Sequence, residues 1–337
     1  MEEEIEGIHV VRSPKVYENF ITKDGFRDVS EVLDFSLWVA KNLFRRGYDL
    51  IEANHCPIFP AIVSWTKSKL KKTRLSVTFH EAWYDEWHMY APRKIYVPFG
   101  IILEKTLTWL PDVGIAVSNF TARRLTKLFN MKKSKIEVIP NGVDLDLISK
   151  INSQRDRWKI IYVGRLNPHK KVEWLIEAFK LLKQDFPQAT LEIVGNGPMY
   201  SNYLSHAEKN NVKDIVFKTE IDDEELLRAL KSSRLYVLPS IREGQSITTL
   251  EAMISGTPQI VVEANGNGAA DMVSESRSGI RVKPGVKELY KGMKRLFEEE
   301  ETWRKLSENG YNYASNYTWN NIADQHKELY ESLVGVG

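Results

Sequence analysis

The chain has 337 residues, 42% apolar and 27% charged, with no low-complexity run, which excludes a disordered or fibrous protein and leaves room for two domains. Its net charge of +2 hides an uneven spread, since residues 64–135 hold 14 basic against 5 acidic side chains. A single cysteine, Cys56, excludes an internal disulfide and a cysteine-based zinc cluster, and it fits a reducing, cytoplasmic compartment.

The acidic start MEEEIEG carries no signal-peptide pattern. The longest apolar stretch, residues 95–117, is broken by Glu104, Lys105 and Asp112, so no membrane span is expected. In chain order, a strand is expected at 8–11, a helix at 30–44, a strand at 50–52, a helix at 61–71, and strands at 75–79 and 113–117. A helix at 122–129 and a strand at 136–139 follow. A polar connection at 142–158 then separates this series from a new one. The second series places strands at 159–163, 190–194, 215–217, 235–238, 259–262 and 279–282. Its helices fall at 172–184, 223–232, 248–255 and 286–300, and a last helix at 322–333 closes the chain. Many of these strands are apolar on both faces, which suits buried parallel sheets. Strand–helix alternation predicts α/β architecture, with two doubly wound domains and a ligand cleft at the carboxyl ends of their strands.

Three loops of the second series carry the chemistry. PSIREGQSITTLEAMISG (239–256) runs from a strand through a turn with Glu243 and Gly244 into a helix bearing Glu251. The amino end of that helix offers free N–H groups to a phosphate, and Gly244 lets backbone approach closely. GRLNPHK (164–170) sets Arg165 and Lys170 on a loop directly after a strand, where two cations suit a diphosphate. GNGP (195–198) adds Gly195 and Gly197 on a loop able to pass close to a ligand. Taken singly, each also fits an ordinary corner with solvated charges; in order on successive strands they point to one site. Asp144 and Asp146 lie in the interdomain connection and are read as structural, and His55 with Cys56 lacks further ligands for a metal.

Together these loops resemble the retaining glycosyltransferases of family 4. The resemblance rests on PNGVD (140–144), GRLNPHKKVEWLIEA (164–178), VGNGP (194–198), LPSIREGQSITTLEAMISGTP (238–258), GNGAADMV (266–273) and YTWNNIADQHKELY (317–330). It implies the GT-B fold: two Rossmann-like domains facing a cleft, with the C-terminal helix crossing back to the first. The domains implied are 1–147 plus 318–337, and 148–317. It also implies transfer of a sugar from a nucleotide-diphosphate sugar to an acceptor hydroxyl with retention, without a metal or other cofactor. Arg165 and Lys170 would hold the diphosphate. The N–H groups of Gln245, Ser246 and Ile247 would meet the distal phosphate, and Glu251 the ribose hydroxyls. Glu243 would face the transferred sugar, the loop of Gly195 and Gly197 the base, and His80, in LSVTFHEAW, the sugar from the other domain.

Three departures stand out. The strand, glycine-rich loop and helix that usually open the family are not seen, so a nucleotide-sugar-binding protein without turnover is the second expectation. EGQSITT replaces the usual Glu-Gly-Phe-Gly, and the bulkier Ser246 is expected to narrow the phosphate pocket. GNGAAD replaces a Gly-Gly pair and a Pro-Glu.

Two basic runs remain. Lys67, Lys69, Lys71, Lys72 and Arg74 form one, and Arg123, Arg124, Lys127, Lys132, Lys133 and Lys135 the other. With Trp65, and with Trp83, Tyr84, Trp87 and Tyr90 after His80, they suit peripheral contact with an anionic membrane at its inner face. The same aromatics suit stacking on sugars. The acceptor expected is a lipid, a saccharide or a small molecule. No nucleic-acid module accompanies the charge, so no nucleic-acid partner is expected.

Overall fold

The computed structural model describes residues 2–14, 28–89 and 94–335. Its contacts separate two units: Met1–Ala116 with Ala122–Val138 and Glu328–Gly337, and Val117–Thr121 with Ile139–Lys327.

The first unit opens with an antiparallel hairpin of β1 (Glu2–Ile5) and β2 (Ile8–Val11), a sheet of its own. The strand expected at 8–11 is present, but it pairs antiparallel with β1 and stays outside the parallel sheet. Glu6 and Gly7 both adopt positive φ, the turn that matches strand twist, and the run EEEI supplies a local partner. Helix α1 (Val29–Leu43) follows, capped by Asp28, whose carboxylate accepts from Ser30 N at 2.8 Å. Next come β3 (Leu50–Asn54), α2 (Ile58–Lys71), β4 (Arg74–Phe79), α3 (Val97–Leu107), β5 (Val113–Ala116), α4 (Asn119–Phe129) and β6 (Ile136–Val138). The sheet is parallel in the order β3-β4-β5-β6, and Leu75, Val77 and Phe79 of β4 are wholly buried in its core.

Several expectations for this unit are corrected. The apolar stretch 95–117 divides into α3, a turn and β5, and α3 was not foreseen. Trp83, Tyr84 and Trp87 are half-buried and pack within the unit, Trp83 edge-on to Trp87 and Tyr84 edge-on to Phe129. The carboxylate of Glu104, 1% exposed, accepts from Trp83 N at 2.7 Å, Tyr84 N at 2.9 Å and Trp87 Nε1 at 2.8 Å, which ties that loop to α3. Burial pushes the Glu104 carboxyl up, while these hydrogen bonds pull the other way. Tyr90 lies outside the described residues. The basic runs are likewise partly spent inside the unit. Lys67 is buried, donating from Nζ to Arg46 O at 2.8 Å beside the rings of Phe44 and Tyr48. Arg124 pairs with Glu86 at 3.1 Å and donates to Ala82 O, and Lys135 donates to Pro111 O.

The second unit carries α5 (Leu145–Lys150), β7 (Asp156–Val163), α6 (Val172–Asp185), β8 (Thr190–Val194), α7 (Tyr200–Lys209), β9 (Ile215–Lys218), α8 (Asp223–Ser232) and β10 (Ser233–Leu238). It continues through β11 (Arg242–Glu243), α9 (Ile247–Ile254), β12 (Gln259–Val262), β13 (Gly266–Asn267), α10 (Gly268–Ser276), β14 (Gly279–Val282), α11 (Val286–Glu298), α12 (Glu300–Ala314) and α13 (Trp319–Val334). The six-stranded sheet runs β14-β12-β10-β7-β8-β9, all parallel, and β10 is buried along its whole length. The helix expected at 286–300 ends at Glu298, and α12 follows it. Asp144 is structural as read: its carboxylate caps α5, accepting from Leu147 N at 2.8 Å.

Two of the resemblance's motifs meet in this unit. Val143 N donates to Tyr317 O at 2.8 Å, and a Cβ on Gly142 would stand 2.8 Å from the Trp319 ring. The end of α13, from Glu328, groups with the first unit, where the Tyr330 hydroxyl donates to Glu52. Among the described residues no helix is long and apolar enough to cross a membrane.

Candidate functional site

The loops after β7, β8 and β10 leave the same end of one parallel sheet, where the chemistry of such sheets resides. The first two are packed backbone to backbone. Leu166 N donates to Asn196 O and Met199 N to Leu166 O, both at 2.9 Å. A Cβ on Gly195 would lie 2.0 Å from Gly164 O, and one on Gly197 2.7 Å from Leu166 N. The demand for glycine in GNGP is therefore met by the neighbouring loop of the chain itself, whatever the loop's far side contacts.

The 3₁₀ turn Pro168–Lys170 is held to the segment after β10 by Ile241 N, which donates to His169 O at 3.0 Å. That tie brings Lys170 Nζ to 2.6 Å from Glu243 Oε1, both largely buried. Glu243 is fixed in turn by β11, which pairs with β13 in the register Glu243↔Asn267. Beneath it lie Tyr162 and Tyr236, fully buried; burial first, and the Glu243 charge among the lesser causes, push both phenols up. Arg165 differs: its side chain is exposed, and among the described residues no carboxylate pairs with it.

Helix α9 begins at Ile247, one residue before the expected start. Ser246 is its N-cap; the hydroxyl accepts from Thr249 N at 3.3 Å, and the residue is buried. Among the described residues the N–H groups of Gln245, Ser246, Ile247 and Thr248 donate to no protein acceptor, so the amino end of α9 is open. Gln245 is anchored through Oε1, which accepts from Asn141 N and Nδ2, both at 2.7 Å. Gly244 O accepts from Ser118 Oγ at 2.9 Å, and a Cβ on Gly268 would stand 2.3 Å from that same carbonyl. Glu251 is half-buried on α9. Burial, with the Asp223 charge adding to it, pushes its carboxyl up to about 7.

The structure therefore brings Lys170 and Glu243 into contact and sets Gln245, Ser246 and Ile247 at one open helix end. It records no contact of Arg165 or Glu251 with that pair. Asn141, Asn267, Tyr162 and Tyr236 were missed in the sequence. PNG and GNG were visible as motifs, but the roles of their asparagines follow only from the pairing of distant loops. Asn267 caps α10, accepting from Ala269 N at 3.0 Å, and donates to Ser240 O and Val262 O.

In the first unit, His80 ends β4 and is exposed. Its Nε2 lies 2.9 Å from Asn54 Oδ1, which makes Nε2–H the donor, and its N–H donates to His55 Nδ1 at 3.3 Å. Crowding by surrounding protein holds the His80 ring below the ordinary histidine value, against the pull of Glu81 and Glu52. His55 is buried and stacks on Phe79. Among the described residues no group of three or more metal-ligating side chains occurs.

Comparison with known proteins follows the same division. The family model described as glycosyl transferases group 1 matches residues 145–313, and that described as glycosyltransferase family 4 matches residues 2–147. The chain is 30% identical over 234 residues to an uncharacterized glycosyltransferase, MJ1607, of Methanocaldococcus jannaschii; the match covers 64% of this chain and 59% of that protein. Among solved structures, sucrose-phosphate synthase from Thermosynechococcus elongatus superposes with a TM-score of 0.81 at 22% identity, covering 99% of this chain and 86% of the other. Anabaena HepE in complex with UDP-glucose superposes at 0.72 and 19% identity, covering 91% and 84%. The fold is GT-B, as the resemblance implied.

Proposed function

Since this chain belongs to the group 1 glycosyl transferases, we propose that it moves a sugar from a nucleoside-diphosphate sugar to an acceptor hydroxyl with retention of configuration. The observation that carries this reading is the Lys170–Glu243 pair in the same loop cluster as the open amino end of α9. A helix end and a cation suit a diphosphate, and the HepE neighbour holds UDP-glucose.

In this reading the bond from the anomeric carbon to the diphosphate oxygen breaks, and its electron pair stays on the diphosphate. Lys170, Arg165 and the amides of Gln245, Ser246 and Ile247 offset that charge. They do so without a metal ion. The acceptor oxygen bonds the anomeric carbon on the face the diphosphate leaves, and its proton passes to the departing phosphate oxygen. Lys170 has three donors, so pairing with Glu243 leaves it free to meet phosphate as well. Glu243 is assigned to the sugar hydroxyls, Glu251 to the ribose, and the loop of Gly195 and Gly197 to the base. His80 is assigned a sugar contact on the resemblance alone.

Calorimetry against a panel of nucleoside diphosphates and their sugars, followed by proton NMR of the product, tests this. Binding of at least one nucleoside diphosphate and a product of unchanged anomeric configuration are expected. Failure of every nucleoside diphosphate to bind would overturn the donor assignment, and an inverted product would overturn the mechanism.

A further inference from the structure

Helix α3 carries an outward face that no described part of its unit covers. Phe99 is 57% exposed and Ile102 61%, three residues apart and thus on one face. Ile95 and Tyr96 extend the strip before the helix, and Trp109, 61% exposed, extends it beyond. Exposed apolar residues scattered singly need no explanation, but a contiguous strip does.

The helix's orientation is held from its other side. Gly100 seats against the Trp87 ring, where a Cβ would lie 2.4 Å from Cδ2, and Glu104 points inward to three donors. Glu104 is the sole carboxylate of residues 94–109, so the outward charges are those of Lys94 and Lys105. The Lys105 ammonium lies over the Trp109 ring at 5.6 Å. Helix α2, which packs against α3, ends in exposed Lys69, Leu70, Lys71 and Lys72.

Aromatic and branched apolar side chains rimmed by lysines, with the Glu104 carboxylate of the same segment turned inward, match the boundary between lipid headgroups and acyl chains. A second copy related by a twofold axis would instead set Lys94 and Lys105 against the same cations. We propose that α3 is a docking face for an anionic lipid surface. Phe99, Ile102 and Trp109 enter the headgroup–acyl boundary, and Lys94 and Lys105 meet lipid phosphates. This contact is distinct from the catalytic reading and places the membrane on α3 rather than on the basic runs as such.

Flotation of the full chain with vesicles of phosphatidylglycerol and phosphatidylcholine, against phosphatidylcholine alone, tests it. Binding to the anionic vesicles is expected, weakening with salt. A Phe99→Ser/Ile102→Ser variant should lose roughly tenfold or more of that affinity. Lys94→Glu/Lys105→Glu should lose the preference for anionic lipid. Brominated lipid should quench the native chain's fluorescence, and less so in Trp109→Phe, which keeps a readout should the double variant fail to fold. Absence of native binding to anionic vesicles, unchanged binding in the double variant, or equal quenching with and without Trp109 would each overturn the proposal. So would self-association by sedimentation that Phe99→Ser/Ile102→Ser abolishes while vesicles remain unbound.

Discussion

Lys170 Nζ and Glu243 Oε1 stand 2.6 Å apart although 73 positions separate them in the chain. The turn after β7 and the short strand after β10 make the contact. Breaking a largely buried pair leaves an uncompensated charge, which costs about 3 kcal/mol. Lys170→Met should therefore lower stability in urea melts, and Lys170→Met/Glu243→Gln should recover part of the loss. Additive single effects in that cycle would show the two groups to be uncoupled.

Arg165 provides the contrast. It is exposed and pairs with no described carboxylate. Arg165→Ala should leave the melting curve unchanged yet weaken nucleoside-diphosphate binding roughly 10- to 100-fold, the span of a charge-assisted hydrogen bond. Calorimetry showing native affinity in this variant would remove Arg165 from the diphosphate site.

Glu251 makes stability depend on pH in a set direction. Its folded value of about 7 lies above the ordinary 4.5, so between these the folded state holds a proton that the unfolded chain has lost. The unfolded state then binds fewer protons, and stability falls as pH rises through that window. Urea melts at about pH 5 and about pH 8 should show a smaller decline in Glu251→Gln than in the native chain. If ribose hydroxyls donate to the carboxylate, nucleotide affinity should rise over the same window.

The loop contacts predict a steric cost. Gly195→Ala drives a methyl into Gly164 O, and Gly197→Ala drives one into Leu166 backbone. Each should cost roughly 2 kcal/mol or more, because neither neighbour is a flexible side chain. A native midpoint in either variant would mean that the two loops separate without penalty.

Glu104→Ala should be among the most damaging changes in the first unit. It strands Trp83 N, Tyr84 N and Trp87 Nε1, at a cost of about 3 kcal/mol or more. Glu104→Gln, which keeps one acceptor oxygen, should lie between it and the native chain.

Runs such as KIIYV in β7 and LYVL in β10 declare themselves in the sequence because a strand buried on both faces has no polar side to show. The loops after them follow, and with them Arg165, Lys170, Glu243 and Glu251 as candidates. Helices α3, α5, α7, α10 and α12 were missed: α3 is too apolar to show a polar face, α12 is a charged surface helix continuing directly from its neighbour, α5 is a short helix inside the polar connection, and α7 and α10 follow glycine-containing loops that read as turns. The strand at 8–11 was legible but β1 and its pairing were not, because IHVV fits any strand and partner choice lay in the Glu6-Gly7 turn. The amino acids alone thus determined the alternation, the order of the loops and the residue types at their tips, since burial patterns and turn chemistry are local. Tertiary structure alone decided which tips touch: Lys170 on Glu243, Gly195 on Gly164, Asn141 on Gln245, Lys67 under Phe44. Such contacts depend on the sheet bringing together segments far apart in the chain, and no local pattern encodes that distance.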